Sequence, residues 1–245
     1  MSLSRAKSYH DHFAEVISRE TGIKLPSGKK VMIESRLRRR VQTLGFSSIE
    51  DYYRHLFEDG GFGAERDDVI DLITTNKTDF FREPAHFRCL MNEMLPQILR
   101  RKQRLNKPVD VKFWSAACSD GSEAYTAAML MEEAVRNGAE FQYAILGTDI
   151  STRMVDAAKR AIYAADALDP VPSALRARYT MPGRSEDMRG MARIVPALRS
   201  KANFTYLNLM DESYPVDQDV DIIFLRNVLI YFEPEDQANV IASLA

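Results

Sequence analysis

Residues 113–123 read FWSAACSDGSE, and this stretch decides the fold of the second half of the chain. An apolar run typical of a buried strand breaks into small and polar residues, and Gly121 precedes the next apolar segment. Two interpretations are open: a turn that binds a nucleotide, or the start of a helix capped by Ser119 or Asp120. The stretch lacks the GxGxxG pattern, which argues against a turn that binds the pyrophosphate of a dinucleotide.

The segments that follow alternate between strand and helix patterns. Strands are predicted at 109–114, 143–147, near 204–207 and at 221–225, and helices at about 122–137, at about 151–161 and from Pro234 onward. Strands separated by helix-length segments predict an α/β fold of the doubly wound type, in which helices cover both faces of a mostly parallel sheet.

The first hundred residues carry helical patterns almost throughout. Ile33, Leu37, Val41 and Leu44 recur at every third or fourth position and predict one apolar helix face. Further helices are predicted at 9–20, 48–58, 66–75 and 84–104, and the composition changes at 106–108. We therefore expect a small helical domain before the α/β domain.

Composition excludes several classes of protein. The 245 residues are 45% hydrophobic and 28% charged, with a net charge of −2, which argues against a nucleic-acid-binding protein. Cys89 and Cys118 show no metal-ligand spacing, so we expect small apolar fillers in a reducing compartment and no metal site. Neither a signal peptide nor an apolar run of about 18 residues is found. We expect a soluble, cytoplasmic, monomeric protein that does not insert into membranes.

Two acidic residues lie where a parallel sheet binds its ligand. Asp149 ends the strand YAILGTD, where an acid accepts hydrogen bonds from ribose hydroxyls, although it could equally cap the next helix. Glu123 could accept from a ligand ammonium group or stabilise the N-terminus of its helix. An acid on a ribose without a phosphate loop favours a nucleoside, and S-adenosylmethionine, which carries an ammonium group, fits this description.

Two further segments are unusual for their surroundings. Residues 76–83 read NKTDFFRE, which is either a ligand-binding loop or a connection whose phenylalanines join the two domains. Residues 224–234 read FLRNVLIYFEP, where Arg226 and Asn227 interrupt an apolar run. A polar pair in such a place is costly unless its hydrogen bonds are met, and contact with a ligand is one way to meet them.

Positive charge is concentrated in residues 24–40, which hold seven Lys and Arg residues against one acid, Glu34. Arg36, Arg39 and Arg40 could form the solvated back of an amphipathic helix. They could also form a docking face, since clustered positive charge steers association with an acidic partner.

Taken together, NKTDFFRE, FWSAACSDGSEAY, LGTD and LRNVLIYF resemble the motifs of the chemoreceptor glutamate methyltransferases, the CheR family, from about residue 10 to the end of the chain. The resemblance implies an N-terminal helical domain (residues 1–80) and a Rossmann-like S-adenosylmethionine domain (residues 81–245) with a small β-subdomain inserted at about 165–205. It also implies methyl esterification of glutamates on the cytoplasmic helices of bacterial chemoreceptors, which would be the partners of the protein.

The resemblance also assigns site residues. Arg82 matches a cofactor contact and the arginine nearest the transferred methyl group, and Tyr231 matches the active-site tyrosine. Arg36, Arg39 and Arg40 lie on the helix that resembles the receptor-facing helix of the family. The other implied cofactor-binding residues are Asn76, Thr78, Ala116, Glu123, Asp149, Asn208, Leu209, Asn227 and Val228.

Three residues of the loop depart from the family pattern, which reads closer to STGEEPY: Asp120, Ser122 and Ala124. Leu225 stands where the family usually has cysteine. Family members also continue past the helix at Pro234 into closing strands that these 245 residues do not include. A module that binds S-adenosylmethionine without methylating is therefore the alternative function.

The expected reaction needs no general base, because a glutamate side chain with a pKa of about 4.3 is ionised at neutral pH. The enzyme would orient the carboxylate and exclude water, with Arg82 and Tyr231 as the catalytic residues. Two other rivals are weaker. A nicotinamide dehydrogenase lacks its glycine motif, and DNA binding through the basic helix conflicts with the acidic net charge.

Overall fold

The computed structural model describes residues 8–104, 109–217 and 219–244, so the composition change predicted at 106–108 lies outside the described residues. The chain divides into two compact units. The helical unit comprises residues 8–75, 208–214 and 227–244, and the sheet unit comprises 76–207 and 215–226, each without the gaps just given.

Five α-helices of the helical unit follow the predicted pattern. They are α1 (Tyr9–Thr21), α2 (Lys30–Thr43), α3 (Ile49–Phe57), α4 (Phe62–Ile73) and, at the end of the chain, a helix over Pro234–Leu244. Ser8 caps α1 by accepting from the Asp11 N–H, and Gly22 ends it with a φ of 71°. Ile33, Leu37 and Val41 are buried in the core as predicted, but Leu44 follows the end of α2 and is 40% exposed.

The sheet unit opens with one long helical segment, as predicted for 84–104. It consists of α5 (Pro84–Cys89), a π-helical turn (Leu90–Met94) and α6 (Leu95–Gln103). Pro96 has no N–H with which to donate to the preceding turn. The wider turn, in which the Leu95 N–H donates to the Leu90 carbonyl, accommodates this break in the helical hydrogen bonds.

Four parallel strands form the main sheet. They are β1 (Asp110–Ala116), β2 (Gln142–Asp149), β6 (Ala202–Tyr206) and β7 (Ile222–Leu225), in the order β6-β2-β1-β7. The helices α7 (Ser122–Arg136) and α8 (Thr152–Arg160) follow β1 and β2 and pack on the sheet. The chain runs from β1 to one side and then returns to the other side of β1 with β7. The order therefore reverses between β1 and β7, as in Rossmann-like folds.

A second, antiparallel sheet is inserted between α8 and β6. Its strands are β3 (Ile162–Ala164), β4 (Thr180–Pro182) and β5 (Met191–Ile194), in the order β3-β5-β4. The short helices α9 (Ser173–Tyr179) and α10 (Pro196–Arg199) accompany it, so that the helix over Pro234–Leu244 is α11. The predicted range 165–205 starts after β3 and includes part of β6, which belongs to the parallel sheet.

Candidate functional site

The carboxyl ends of β1, β2 and β7 define the candidate site of the sheet unit. Ala116 at the end of β1 is level with Thr148 of β2 on one side and with Leu225 of β7 on the other. Open parallel sheets bind ligands beyond the strand ends where the strand order reverses, which here is between β1 and β7. Ala116 itself is buried, as a residue lining a cleft through its backbone would be.

The loop after β1 uses its own N–H groups. Those of Cys118, Ser119, Gly121 and Ser122 donate to Thr148 O, Asp149 Oδ2, Cys118 O and Asp120 Oδ1, respectively. These four groups are therefore committed within the protein and do not form a cradle for phosphate, which agrees with the absence of the glycine motif. The N-cap residue of α7 is Gly121 rather than Ser119 or Asp120, and the Asp120 carboxylate accepts from Ser122 instead.

Left-handed backbone conformations are concentrated around this site. In the loop, Ala117 and Ser119 have φ values of 58° and 51°, and in the segment 76–83, Phe81 and Glu83 have values of 55° and 54°. Each such non-glycine residue costs of the order of 1 kcal/mol or more, and surrounding contacts must hold it in place. Both segments are therefore held in a specific shape by their packing.

Asp149 links the ends of two strands. It is buried, its Oδ2 accepts from the Ser119 N–H at 2.8 Å, and its Oδ1 accepts from the Ser151 N–H at 2.9 Å. The N-cap of α8 is Ser151, whose Oγ accepts from the Met154 N–H at 3.2 Å. The capping role that the sequence left open for Asp149 thus belongs to Ser151.

Glu123 lies in the first turn of α7 and faces β1 and β7. Its Oε1 accepts from Ser115 Oγ at 2.7 Å, and its Oε2 accepts from Arg226 Nη1 at 2.9 Å. Burial raises the pKa of Glu123, while the hydrogen bond from Ser115 and the charge of Arg226 act in the opposite direction. A half-buried carboxylate is thus held beside the charged guanidinium of Arg226.

The segment 76–83 packs against the same loop. Ser119 Oγ donates to the Asn76 carbonyl at 2.9 Å, and the Phe81 N–H donates to Thr126 Oγ1 at 3.1 Å. Asn76 and Thr78 are half-buried, and the ring of buried Phe80 contacts Tyr163 edge-on, with 4.9 Å between ring centroids. The phenylalanine therefore packs within the sheet unit itself.

Arg82 is the second-to-last residue of this segment, and its side chain is 34% exposed. Its Nη1 donates to the Lys77 carbonyl at 2.8 Å, and its Nε lies 3.8 Å from Glu83 Oε1. Its own carbonyl accepts from Arg226 Nη2 at 2.6 Å. The guanidinium of Arg82 is thus oriented by the backbone while remaining accessible to an anionic group.

The remaining predicted site residues belong to the helical unit. Asn208 is buried, its Nδ2 donates to the Glu20 carbonyl at 2.7 Å and its Oδ1 accepts from the Met210 N–H. Leu209 is buried, Val228 is half-buried, and Asn227 is exposed with a φ of 57°. The carbonyl of half-buried Tyr231 accepts from the Lys24 N–H at 2.9 Å. Asn208 therefore contributes to the packing of the helical unit.

Two arginines of the basic helix α2 form contacts within the helical unit instead of facing solvent. Arg36 donates to the carbonyls of Ile73 and Thr74 at the end of α4, and Arg40 forms two 2.8 Å hydrogen bonds with the buried Glu65. Of the three arginines predicted for docking, Arg39 alone is exposed. The interpretation of all three as one solvated face is therefore wrong for Arg36 and Arg40.

Comparison with known families decides what this arrangement belongs to. The model described as "CheR methyltransferase, SAM binding domain" matches residues 76–245, and the one described as "CheR methyltransferase, all-alpha domain" matches residues 11–74. The chain belongs to the CheR methyltransferase family. The cofactor of a CheR domain of this kind is S-adenosylmethionine, so the expected cofactor is confirmed and the dehydrogenase alternative is rejected.

Curated relatives cover nearly the whole chain. The chemotaxis protein methyltransferase of Borreliella burgdorferi is 33% identical over 240 residues, which are 98% of this chain and 83% of the relative. Chemotaxis protein methyltransferase 2 of Pseudomonas aeruginosa is 33% identical over 93% of this chain and 77% of its own length. The chemotaxis protein methyltransferase of Escherichia coli is 30% identical over 98% and 79%, respectively. The protein is thus a member of the chemotaxis methyltransferases.

The chemistry of the CheR site fits this cofactor. S-adenosylmethionine presents hydrogen-bond donors, namely ribose hydroxyls and an ammonium group, and has no phosphate. Asp149 supplies a buried carboxylate at the end of β2 and Glu123 a half-buried one in the first turn of α7, and carboxylates are acceptors. The committed N–H groups of the loop suit a ligand without phosphate.

Three residues of the CheR site were not identified from the sequence as site residues. Ser115 and Ser119 bond to Glu123, Asp149 and the Asn76 carbonyl, and nothing in their local pattern distinguishes them from ordinary strand-end serines. Arg226 did carry a signal, since it is a charged residue in an apolar run. Its two Nη groups donate to protein acceptors, Glu123 Oε2 and the Arg82 carbonyl, so these bonds are met without a ligand.

Within the described residues, no helix combines the length and the apolar character needed to span a bilayer.

Proposed function

We propose that this chain is a protein-glutamate O-methyltransferase that transfers a methyl group from S-adenosylmethionine to glutamate side chains of bacterial chemoreceptors. Membership of the chemotaxis methyltransferases supports this substrate class. A cytoplasmic location and a monomeric state follow from the same proposal, as does a division into domains 1–80 and 81–245.

In this proposal the sheet unit binds the cofactor through carboxylates and backbone. Asp149 accepts from the ribose hydroxyls and Glu123 accepts from the ammonium group. Both acids accept hydrogen bonds from protein groups that fix their orientation, which lowers the entropic cost of binding. Asn76, Thr78, Arg82 and Ala116 complete the contacts on this unit. The cofactor-binding role of Asn208, Leu209, Asn227 and Val228 stays a prediction from the family resemblance.

Arg82 is the residue that we propose binds the glutamate carboxylate, which accepts the methyl group. When bound, S-adenosylmethionine would supply a sulfonium methyl group: the carbon–sulfur bond breaks as the glutamate oxygen bonds to the methyl carbon, and S-adenosylhomocysteine is released. A glutamate carboxylate is already ionised at neutral pH, so the protein must only hold it in position and exclude water. The Arg82 guanidinium is oriented by the Lys77 carbonyl and is still one third exposed, which suits it to bind a carboxylate that enters from solvent.

Cys118 is not a competing nucleophile. It is the thiol in the loop after β1, and it is 2% exposed. Burial and the nearby carboxylates of Asp149 and Glu123 raise the pKa of Cys118 well above its usual range, so the reactive thiolate is disfavoured. Direct transfer to the substrate carboxylate therefore remains the simplest route, with the Tyr231 hydroxyl proposed as a second group that fixes the carboxylate or the cofactor.

No observation favours the alternative of a module that binds without methylating. Asp120 and Ser122, which depart from the family pattern, hydrogen-bond to each other at 2.6 Å. Glu123 bonds to Ser115 and Arg226 independently of them, and Ala124 is fully buried. The altered loop thus forms a self-consistent turn that leaves Glu123 in place.

For receptor docking we propose the exposed face of α2. Arg38 and Arg39 are both exposed there, whereas Arg36 and Arg40 hold α4. Exposed basic side chains would steer an acidic receptor segment toward the enzyme, and this contribution should weaken as salt concentration rises.

The test of the proposed reaction compares two arginines. Arg82→Ala should lower kcat for transfer of labelled methyl groups to a receptor cytoplasmic fragment by about a hundredfold, because the acceptor is no longer positioned. S-adenosylhomocysteine affinity should change much less. Arg88→Ala, on the exposed side of the neighbouring helix α5, is the matched control and should keep full activity. Full turnover by Arg82→Ala would contradict the assignment.

A further inference from the structure

We propose that Arg226 is a positioning residue that keeps Glu123 charged for the cofactor and holds the backbone of Arg82 for the acceptor. No role was assigned to this residue from the family resemblance. The first half of the inference needs only cofactor binding, and the second half rests on the proposed methyl transfer.

The position of Arg226 at the reversal of the strand order is what allows both contacts. It directly follows β7, whereas Glu123 follows the neighbouring strand β1 by one loop. Its Nη1 donates to Glu123 Oε2 at 2.9 Å, and its Nη2 donates to the Arg82 carbonyl at 2.6 Å and to Glu83 Oε2 at 3.2 Å. One planar guanidinium thus bridges α7 and the segment 76–83, which a point charge on a lysine could not do with the same geometry.

Packing alone does not explain a charged residue here. The Arg226 side chain is 9% exposed, and its guanidinium carbon lies 5.3 Å from the ring centroid of Phe87 and 5.6 Å from that of Phe224. Its buried Nε has no hydrogen-bond partner within the described residues. Replacing a whole buried ion pair by apolar residues is often neutral or stabilising, so stability alone does not explain why the Arg226–Glu123 pair is present.

The charge of Arg226 matters because Glu123 is otherwise destabilised as an anion. Burial raises the pKa of Glu123, and the neighbouring ionisable groups are Arg226 after β7, His86 on α5, Cys118 in the loop and, beyond Arg226, Glu83. Arg226 is the nearest permanent positive charge. Without it, Glu123 would take up a proton at a higher pH, and a protonated carboxyl no longer attracts an ammonium group.

The hydrogen bond from Arg226 to the Arg82 carbonyl stabilises a strained stretch of backbone. Phe81 and Glu83, on either side of Arg82, both have positive φ values, and such conformations persist only where neighbouring contacts enforce them. The 2.6 Å hydrogen bond from Arg226 to the carbonyl between them is one such contact. Arg226 therefore fixes the direction in which the Arg82 guanidinium leaves the backbone.

Two substitutions separate the two roles. Arg226→Met removes the charge and keeps a long apolar side chain. Arg226→Lys keeps the charge but loses the planar guanidinium that donates to Glu123 and to the Arg82 carbonyl at once. S-adenosylhomocysteine binding is measured by calorimetry between about pH 5 and 9, and methyl transfer is measured at saturating cofactor. Lys102→Met is the matched control, because Lys102 pairs with the half-buried Asp221 before β7, at the opposite end of the sheet.

Arg226→Met should weaken S-adenosylhomocysteine binding at neutral pH by about tenfold and move the pH midpoint of binding upward. Arg226→Lys should keep the wild-type midpoint and lower kcat by about tenfold, because the Arg82 backbone is no longer held. Lys102→Met should leave the binding profile unchanged.

Two results would overturn the two halves of the inference, and a third would refute the proposed function. If Arg226→Met binds like the wild type, or binds more weakly to the same extent at every pH, Arg226 does not maintain the charge of Glu123. If Arg226→Lys transfers methyl groups at the wild-type rate, the Arg82 contact is not needed. A wild-type protein that binds S-adenosylhomocysteine but methylates no glutamate would refute the proposed function, while the binding data would still decide the role of Arg226 toward Glu123.

Discussion

The backbone N–H of Ser119 donates to Asp149 Oδ2 at 2.8 Å, which joins the loop after β1 to the end of β2. The same carboxylate accepts from the Ser151 N–H on its other oxygen. Asp149 therefore orients the loop that precedes α7 as well as facing the ligand end of the sheet. A change at this residue should affect both cofactor affinity and local order.

Asp149→Asn should weaken S-adenosylhomocysteine binding by about tenfold to a hundredfold, since it removes the charge and one of the two acceptor oxygens. Isothermal calorimetry measures this directly. Ser151→Ala is the control. It removes the N-cap hydroxyl of α8 and should cost about 1 kcal/mol of stability, while its N–H and the cofactor affinity are preserved. Equal affinities for Asp149→Asn and the wild type would refute the role of Asp149 in binding.

Gly121→Ala should destabilise the protein by about 2 to 4 kcal/mol and also reduce cofactor affinity. Gly121 has a φ of +85°, and an added Cβ would lie 2.9 Å from the Cβ of Ala158. Gly138→Ala provides the comparison, because Gly138 has a φ of +96° and, apart from its chain neighbours, no described residue has an atom within 4 Å of an added Cβ. Gly138→Ala should lower the free energy of unfolding, measured in urea, by only about 1 to 2 kcal/mol and leave cofactor affinity unchanged. Similar losses in both variants would mean that the contact with α8 is unimportant.

Arg40→Met should destabilise the helical unit by about 3 to 5 kcal/mol, because Glu65 would be left as an unpaired buried charge. Arg40→Met combined with Glu65→Met should recover most of this loss, and urea unfolding of the single and double variants measures the coupling. If the double variant is as unstable as Arg40→Met, the ion pair is not the source of the effect.

The same pair predicts a pH dependence. The hydrogen bond from Arg40 lowers the pKa of Glu65 in the folded protein. A lowered carboxyl pKa contributes stability that is complete above the unfolded value, about 4.3, and is lost as the pH falls through the folded value. The stability difference between the wild type and Arg40→Met should therefore be largest near neutral pH and shrink below about pH 4. A difference that grows on acidification would contradict this sign.

Elements with a clear period were predictable from the sequence. The apolar spacing of Ile33, Leu37 and Val41 predicted α2. The alternation of strand and helix patterns after residue 109 predicted the parallel sheet. The strands of the inserted sheet have only three or four residues, which is too short for a period, so the range predicted for them was shifted toward β6.

Contacts between distant residues were not predictable from local patterns. Arg36 and Arg40 face α4, but a helix pattern does not state which helix packs against which face. Arg226 and Glu123 are 103 residues apart and meet because β7 lies next to β1. Only the strand order brings this pair together, and a single sequence does not specify that order.

The most direct test of the central claim identifies the chemical bond that is formed. The wild-type protein is incubated with S-adenosylmethionine that carries a labelled methyl group and with a chemoreceptor cytoplasmic fragment, and the modified residues are located by mass spectrometry. We predict base-labile methyl esters on glutamate side chains, which disappear when those glutamates are replaced by alanine. Cofactor binding without methylated glutamate, or label on another type of residue, would contradict the account.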